Sequence, residues 1–192
     1  MHNNLLTYLP NHLSDILITL NVSHNQLISL PNNLTNSLKK LDISSNQLAV
    51  LPDSLPNQLG HLNINHNQLI MLPDYLSDKL RYLDASNNRL TTLSNHLPDE
   101  LRYLNTSDNQ LTVLPHNLQA KLKYFNAYNN QIKELPASFP SKLLFLNIDN
   151  NPATMGRSSF SVAANEVEQA PQSPKLLSPK YELIEEWMEW LG

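Results

Sequence analysis

Histidine is the residue type with the widest chemical range in this sequence, which has seven histidines and no cysteine. The sequence repeats with a period of 21 residues. His24 and His66 occupy equivalent positions two repeats apart, with Ser45 at the position between them. If each repeat contributes one strand, the two imidazoles lie about 10 Å apart, because neighbouring strands are about 4.8 Å apart. One zinc ion cannot bridge that separation, since its ligands bind at about 2 Å. No other catalytic constellation is present, so we predict that the chain is not an enzyme and has neither a metal nor a cofactor.

Aromatic side chains form a second recurring set, spaced by 21 residues, and on parallel strands their rings should lie side by side. We call this set the aromatic ladder, and its predicted members are Tyr82, Tyr103, Tyr124 and Phe145. Tyr128 is predicted to lie beside the ladder. Arg81 and Arg102 each precede one of its tyrosines and should lie near the rim of the same surface.

Two interpretations of these aromatic residues are open. Cross-strand aromatic pairs stabilise a sheet by roughly 0.2–1 kcal/mol each, which is a purely structural role. Exposed tyrosine beside arginine is also the composition of energetic hot spots in protein interfaces. If the chain recognises a protein, the candidate partner-binding residues are Tyr82, Tyr103, Tyr124, Tyr128, Phe145, Arg81 and Arg102, joined by Trp187 and Trp190 near the C-terminus.

The element that must position these side chains is a 21-residue unit, L-x-x-L-x-(I/V/A/T)-x-x-N-x-L-x-x-L-P-x-x-L-x-x-x. A single unit cannot bury its own apolar positions, so the units must stack and share one core. We predict a strand at L-x-(I/V/A/T) in each unit, parallel to its neighbours. The asparagine should turn the chain and satisfy backbone groups of its own and adjacent repeats. The asparagines in this column are Asn25, Asn46, Asn67, Asn88, Asn109, Asn130 and Asn151.

The unit resembles the leucine-rich repeat family. Proline follows the fourth leucine of most units and favours an extended or polyproline II backbone there, so a helix is not expected on that side. Short units of this kind resemble the bacterial class of leucine-rich repeats, found in type III effectors of the YopM and IpaH types, and the resemblance covers residues 4–151. It implies a curved right-handed solenoid with a parallel β-sheet on its concave face and extended segments on its convex side.

The two ends of the chain depart from the repeat. Residues 1–151 are predicted to form the solenoid, whose first unit is partial, so its open N-terminal edge should expose apolar surface. We expect a monomer in which edge-to-edge self-association at that end is the alternative. Residues 152–177 are predicted to be a linker, and residues 178–192 a short amphipathic helix. That helix either caps the last repeat, binds a partner or is disordered.

Composition excludes several classes of function. The formal net charge is −4, which gives no reason to expect a nucleic-acid partner. No apolar run is long enough for a membrane span, and no secretory signal is visible. The absence of cysteine rules out disulfide-capped repeat ends and favours a reducing cytosol or a bacterial setting. We therefore expect the chain in the bacterial cytoplasm or secreted into a host cytosol.

Taken together, these features predict non-catalytic protein recognition through the concave face. The resemblance implies a bacterial effector that binds a host protein, whose identity the sequence does not name. One alternative is the substrate-recognition part of a ubiquitin-ligase-type effector that lacks its catalytic domain. The other is an internal scaffold of the producing cell.

Overall fold

The fold is a solenoid built on one parallel β-sheet. The computed structural model describes residues 5–116 and 118–155. The sheet has seven strands in sequential order, and every neighbouring pair is parallel. Each strand is three residues long, and the strands are β1 (Thr19–Asn21), β2 (Lys40–Asp42), β3 (His61–Asn63), β4 (Tyr82–Asp84), β5 (Tyr103–Asn105), β6 (Tyr124–Asn126) and β7 (Phe145–Asn147). The predicted parallel-sheet solenoid of leucine-rich repeats is therefore confirmed.

The core is shared between repeats, as the stacking argument requires. The middle residue of each strand pairs in register with its equivalent in the next, so that Leu41 lies opposite Leu62 and Leu62 opposite Leu83. These side chains are completely buried, and Phe125 takes the same position in β6. Thr106 replaces an aliphatic residue in the core, and its hydroxyl donates to the Asn126 carbonyl at 3.2 Å. The first and third residues of each strand form the opposite face, which we call the solvent face.

Every strand begins and ends one residue earlier than the predicted L-x-(I/V/A/T) segment. In the first repeat the structure has Thr19–Asn21 where Leu20 to Val22 was predicted. The Val22 N–H still donates to the Asp42 carbonyl at 2.9 Å. The Val22 carbonyl, however, accepts from the Asn25 and Asn46 side chains, both at 3.0 Å. It is therefore not available for a backbone hydrogen bond between strands. Capture of that carbonyl by asparagine is what shortens the strand.

The asparagine column confirms its predicted structural role. The Asn46 Nδ2 donates to the carbonyls of Ile43 and Ser44 in its own repeat, at 3.0 and 3.1 Å, and to Val22 of the preceding repeat at 3.0 Å. The Asn46 Oδ1 accepts from the Leu27 N–H at 3.0 Å. One buried amide thus satisfies four backbone groups on two repeats. The same four bonds recur at Asn67, Asn88, Asn109, Asn130 and Asn151.

The residue before each of these asparagines has a left-handed backbone. Its φ lies between 52° and 57° in all seven repeats, at His24, Ser45, His66, Asn87, Asp108, Asn129 and Asn150. Asparagine, aspartate and histidine tolerate this conformation better than other residues with a side chain. The two histidines that share this column therefore occupy a backbone position that suits their residue type.

The outer segments and the ends complete the described part of the chain. No α-helix occurs in residues 5–116 or 118–155, and Pro152–Thr154 form a 3₁₀ turn. That turn lies at the start of the predicted linker and is bonded to the last repeats, since the Ala153 N–H donates to the Ile132 carbonyl at 2.8 Å. Leu5 and Ile16 near the opposite end are 70% and 83% exposed. The predicted helix at residues 178–192 and most of the linker lie outside the described residues.

Replacement of Asn88 by alanine should destabilise the protein by about 3 kcal/mol, because four buried backbone groups lose their partner. The groups are the Leu69 N–H and the carbonyls of Ile64, Ala85 and Ser86. Urea unfolding followed by circular dichroism measures the change. Asn95→Ala, at an exposed position of the neighbouring outer segment, is the control and should leave the unfolding midpoint unchanged. Equal effects of the two substitutions would contradict the structural role of the asparagine column.

Replacement of Ser45 by asparagine should stabilise the protein by about 0.5–1 kcal/mol, because serine fits the left-handed conformation less well. The reverse exchange, Asn87→Ser, places serine at the same position of another repeat and should destabilise by a similar amount. Both effects are measured as shifts in the urea unfolding midpoint. A gain in stability from Asn87→Ser would refute this explanation of the column.

Candidate functional site

The aromatic ladder lies on the solvent face and has five rings instead of the predicted four. His61 stacks on Tyr82 with ring centroids 4.1 Å apart, and the next three pairs follow at 4.4, 4.3 and 4.4 Å. Neighbouring planes deviate from parallel by 9° or less. In-register pairing of the first residues of β3 to β7 places the rings in this row. The members are His61, Tyr82, Tyr103, Tyr124 and Phe145.

Tyr82, Tyr103 and Tyr124 are buried, although we expected exposed tyrosines. Their relative exposures are 8%, 7% and 8%. Each of these rings has a neighbour on both faces, so solvent reaches only the ring edges. The cost of exposing apolar rings on a solvent-facing sheet is thereby removed, and the three tyrosines form a second apolar cluster against which Phe145 packs. The stabilising role of the ladder is evident from this packing.

Burial also determines the ionisation of the phenols. It raises the pKa of Tyr82 and Tyr103 above the ordinary value of 10.0, and the nearby negative charge of Asp84 acts in the same direction. Burial raises the pKa of Tyr124 to about 12. All three hydroxyls therefore stay protonated at neutral pH, and they are hydrogen-bonded to one another, Tyr82 to Tyr103 and Tyr103 to Tyr124.

The Asn and Asp column next to the ladder is occupied with structural hydrogen bonds. In β4 the Asp84 Oδ1 accepts from the backbone N–H of Ser86 at 3.0 Å and from its hydroxyl at 2.7 Å. The third residue of every strand makes the equivalent backbone bond two residues on, which is an Asx turn. Sequence reasoning missed this role, although an Asn or Asp at a fixed offset in every repeat is a signal for it. The side chains of this column are therefore held by hydrogen bonds to the backbone and are not free to bind a partner through the same oxygen atom.

The remaining candidate residues surround the ladder. Tyr128 is 38% exposed, and its backbone N–H, not its ring, is bonded to the Asn126 side chain. Arg81 and Arg102 are partly exposed at the rim, and both act electrostatically on the carboxylate of Glu100. Glu100 forms an ion pair with Lys121. The rim thus carries arginine charge directly beside the edges of the buried tyrosine rings.

Two other predictions concern residues away from the ladder. Trp187 and Trp190 lie outside the described residues, so their proposed role stays a prediction. Within residues 5–116 and 118–155 no three His, Cys, Asp or Glu side chains converge in a group that would hold a metal ion. The same part of the chain contains no helix with the length and apolar character needed to cross a bilayer.

His61 is the ladder member that sequence reasoning missed, although it precedes Leu62 just as Tyr82 precedes Leu83. Burial against Tyr82 lowers the pKa of its imidazole from 6.5 to about 4. Asp42 opposes this shift by raising the pKa, and Lys40 adds to it by lowering the pKa. The histidine is therefore a neutral ring at pH 7 and stacks like the aromatic hydrocarbon rings of the ladder.

Because His61 has a lower pKa folded than unfolded, the unfolded chain binds more protons between pH 4 and 6.5, and stability is lost as the pH falls through this window. His61→Phe keeps a ring in the ladder without this titration. Between pH 7 and pH 4.5 the wild type should lose about 2 kcal/mol more unfolding free energy than this variant. Urea unfolding at both pH values measures the difference. His96→Phe, at an exposed position, is the control and should follow the wild type; equal losses in all three proteins would contradict the burial of His61.

Comparisons with known proteins agree with this architecture. The sequence model of the Leucine Rich Repeat family matches residues 37–59 and 79–99. YopM from Yersinia enterocolitica WA-314 is similar at 38% identity and a TM-score of 0.72, over 78% of this chain and 32% of that chain. YopM from Yersinia pestis, a leucine-rich effector protein, is similar at 37% identity and a TM-score of 0.71, over 78% of this chain and 42% of that one.

The leucine-rich repeat domain of a Shigella effector is also similar, with 35% identity and a TM-score of 0.61 over 77% of this chain and 66% of that chain. This chain spans about a third to two fifths of the length of the two YopM chains. A comparison with curated protein sequences gave no match. The repeat sequence, the parallel solenoid and these similarities together identify the chain as a leucine-rich repeat protein whose repeats resemble those of YopM and of the Shigella effector.

Proposed function

We propose that the chain is a non-catalytic recognition protein that binds another protein through the solvent face of its sheet. The observation that carries this proposal is a rigid stack of rings with arginine and exposed tyrosine at neighbouring positions of the same repeats. Arg81 and Arg102 directly precede ladder residues, and the exposed Tyr128 follows the strand that holds Tyr124. Tyrosine and arginine are enriched among the residues that dominate binding energy in interfaces.

The rigidity of this surface supports recognition as well as stability. The stacked rings cannot move independently, so a partner that contacts their edges causes little loss of side-chain entropy. The phenol hydroxyls are hydrogen-bonded to one another along the ladder, which restricts the rings further. The ladder then acts as a preformed platform, while the arginines and Tyr128 supply the groups that distinguish one partner from another.

The place of action that we propose is the cytosol of a eukaryotic host. YopM from Yersinia pestis and the Shigella protein are effectors by their descriptions, and 35–37% identity over the repeats supports a related role. A role as the recognition part of a ubiquitin-ligase-type effector or as an internal scaffold would use the same surface with a different partner. The source of the partner, eukaryotic or bacterial, therefore separates these functions.

Affinity capture from a eukaryotic cytosolic lysate and from a bacterial lysate tests the proposal. The test variant is the double substitution Arg102→Ala and Tyr128→Ala, which leaves the stacked tyrosines in place. We expect a eukaryotic protein that the wild type retains and that the variant recovers at about tenfold lower yield, since hot-spot residues contribute about 2 kcal/mol or more. Mass spectrometry identifies and quantifies the captured proteins.

The matched control is Arg89→Ala with Tyr75→Ala, which removes the same residue types from exposed positions away from the solvent face. This control should retain the captured protein at the wild-type yield. Capture of bacterial proteins alone would favour the internal scaffold. Equal loss of the partner in the test and control variants would remove the solvent face as the binding site.

A further inference from the structure

The aromatic ladder ends differently on its two sides. In the register of the sheet, the residue that follows His61 toward the N-terminus is Lys40, which has no ring and is exposed. One face of the His61 imidazole is therefore stacked on Tyr82 and the other has no ring partner among the described residues. A further planar group at the spacing of the ladder, 4.1 to 4.4 Å, would extend the row by one ring.

A depression of about 800 Å³ opens on this side of the ladder, and Lys40 and His61 are both in its lining. It exists because Gly60 stands where the neighbouring repeats have Lys39 and Arg81, so the rim lacks one side chain. A Cβ at Gly60 would lie 3.6 Å from the Lys79 carbonyl oxygen and 3.9 Å from that of Lys39, which is ordinary contact distance. The backbone at Gly60 would therefore accept a side chain, and the gap is present because the residue there is glycine.

The charge around the depression is positive, although the whole chain has a net charge of −4. Four cations and two carboxylates line it; Glu100 is paired with Lys121, whereas Asp42 keeps its charge while it accepts from the N–H and hydroxyl of Ser44. Lys79 donates to the Gln58 side chain at 2.6 Å. In the described part of the chain the other three cations that line the depression form no ion pair, and they are Lys39, Lys40 and Arg81.

We propose that this depression binds an acidic segment of a partner protein through one aromatic side chain, which stacks on the His61 face that has no ring partner, and through carboxylates that pair with Lys39, Lys40 and Arg81. The proposal rests on the proposed recognition function and names the chemistry of its partner. Three cations beside an aromatic face match a short acidic peptide. A nucleic-acid backbone presents many phosphates in a row, and cations confined to one depression match it less well.

A defined peptide tests the proposal with the full-length protein. The probe is a synthetic nine-residue peptide with a central tyrosine and four glutamates on each side, and the readout is the shift of the His61 ring resonances in an NMR titration. We expect a saturable shift. Replacing the central tyrosine by alanine should weaken binding about tenfold, and replacing the glutamates by glutamines should weaken it by a similar factor of about ten.

Two kinds of variant locate the site. Gly60→Leu fills the depression, and the double variant Lys39→Glu with Lys40→Glu reverses its charge at two exposed positions; each should weaken binding about tenfold. Lys133→Glu, an exposed charge reversal on an outer segment, should bind the peptide like the wild type. Absence of a His61 shift at millimolar peptide, or equal weakening by Lys133→Glu, would overturn the proposal.

The chain itself contains an acidic aromatic stretch, with Trp187 and Trp190 among four glutamates between residues 182 and 189. These are its two tryptophans, so their fluorescence reports on that stretch alone. If Gly60→Leu changes the tryptophan emission in the absence of peptide, the chain's own segment occupies the depression and the assignment to a partner is wrong. A captured cytosolic protein that depends on Arg102 and Tyr128 while the peptide fails to bind would leave the recognition function standing and refute only this inference.

Discussion

The structure depends on one side-chain amide in each repeat. A 21-residue turn leaves backbone N–H and C=O groups inside the solenoid, and burying such groups without partners costs about 1–3 kcal/mol each. The asparagine satisfies four of them on two successive repeats, as at Asn46 and Asn88. The same amide thereby closes the turn of its own repeat and joins that repeat to the preceding one. No buried polar side-chain atom in the described residues lacks a hydrogen-bond partner.

This arrangement constrains the residues around it. The same amide takes the carbonyl that would have extended each strand, so the strands are only three residues long. The residue before the asparagine must have a left-handed backbone. The third residue of each strand uses its side chain in an Asx turn, in which it accepts from the backbone N–H two residues on. On the solvent face of the sheet, the positions that these bonds leave free to vary are the ladder position, the rim position before it and the position of Tyr128.

The solvent face carries both the packed ladder and the groups that we propose for recognition. The tyrosines of the ladder are packed too tightly to act as separate exposed contacts, and their edges form a platform. The groups that differ between repeats lie at its margins: Arg81 and Arg102 at the rim, Tyr128 beside the rings, and Gly60 where a side chain is missing. Margins can change without loss of the core, because each repeat contacts only its neighbours. A leucine-rich repeat scaffold can therefore alter its partner while its asparagines and leucines stay the same.

The sequence by itself determined the period, the leucine core, the asparagine column and the row of aromatic positions, because each of these follows from residue type at a fixed offset in a stacked unit. The tertiary structure decided which rings are exposed: it buried Tyr82, Tyr103 and Tyr124, added His61 to the ladder and left one imidazole face without a ring partner among the described residues. It also showed that Asp84 and its equivalents are engaged by turns. Exposure and hydrogen bonding depend on which atoms lie within about 4 Å across repeats. The spacing of residues along one chain specifies the neighbours but not how closely their side chains pack.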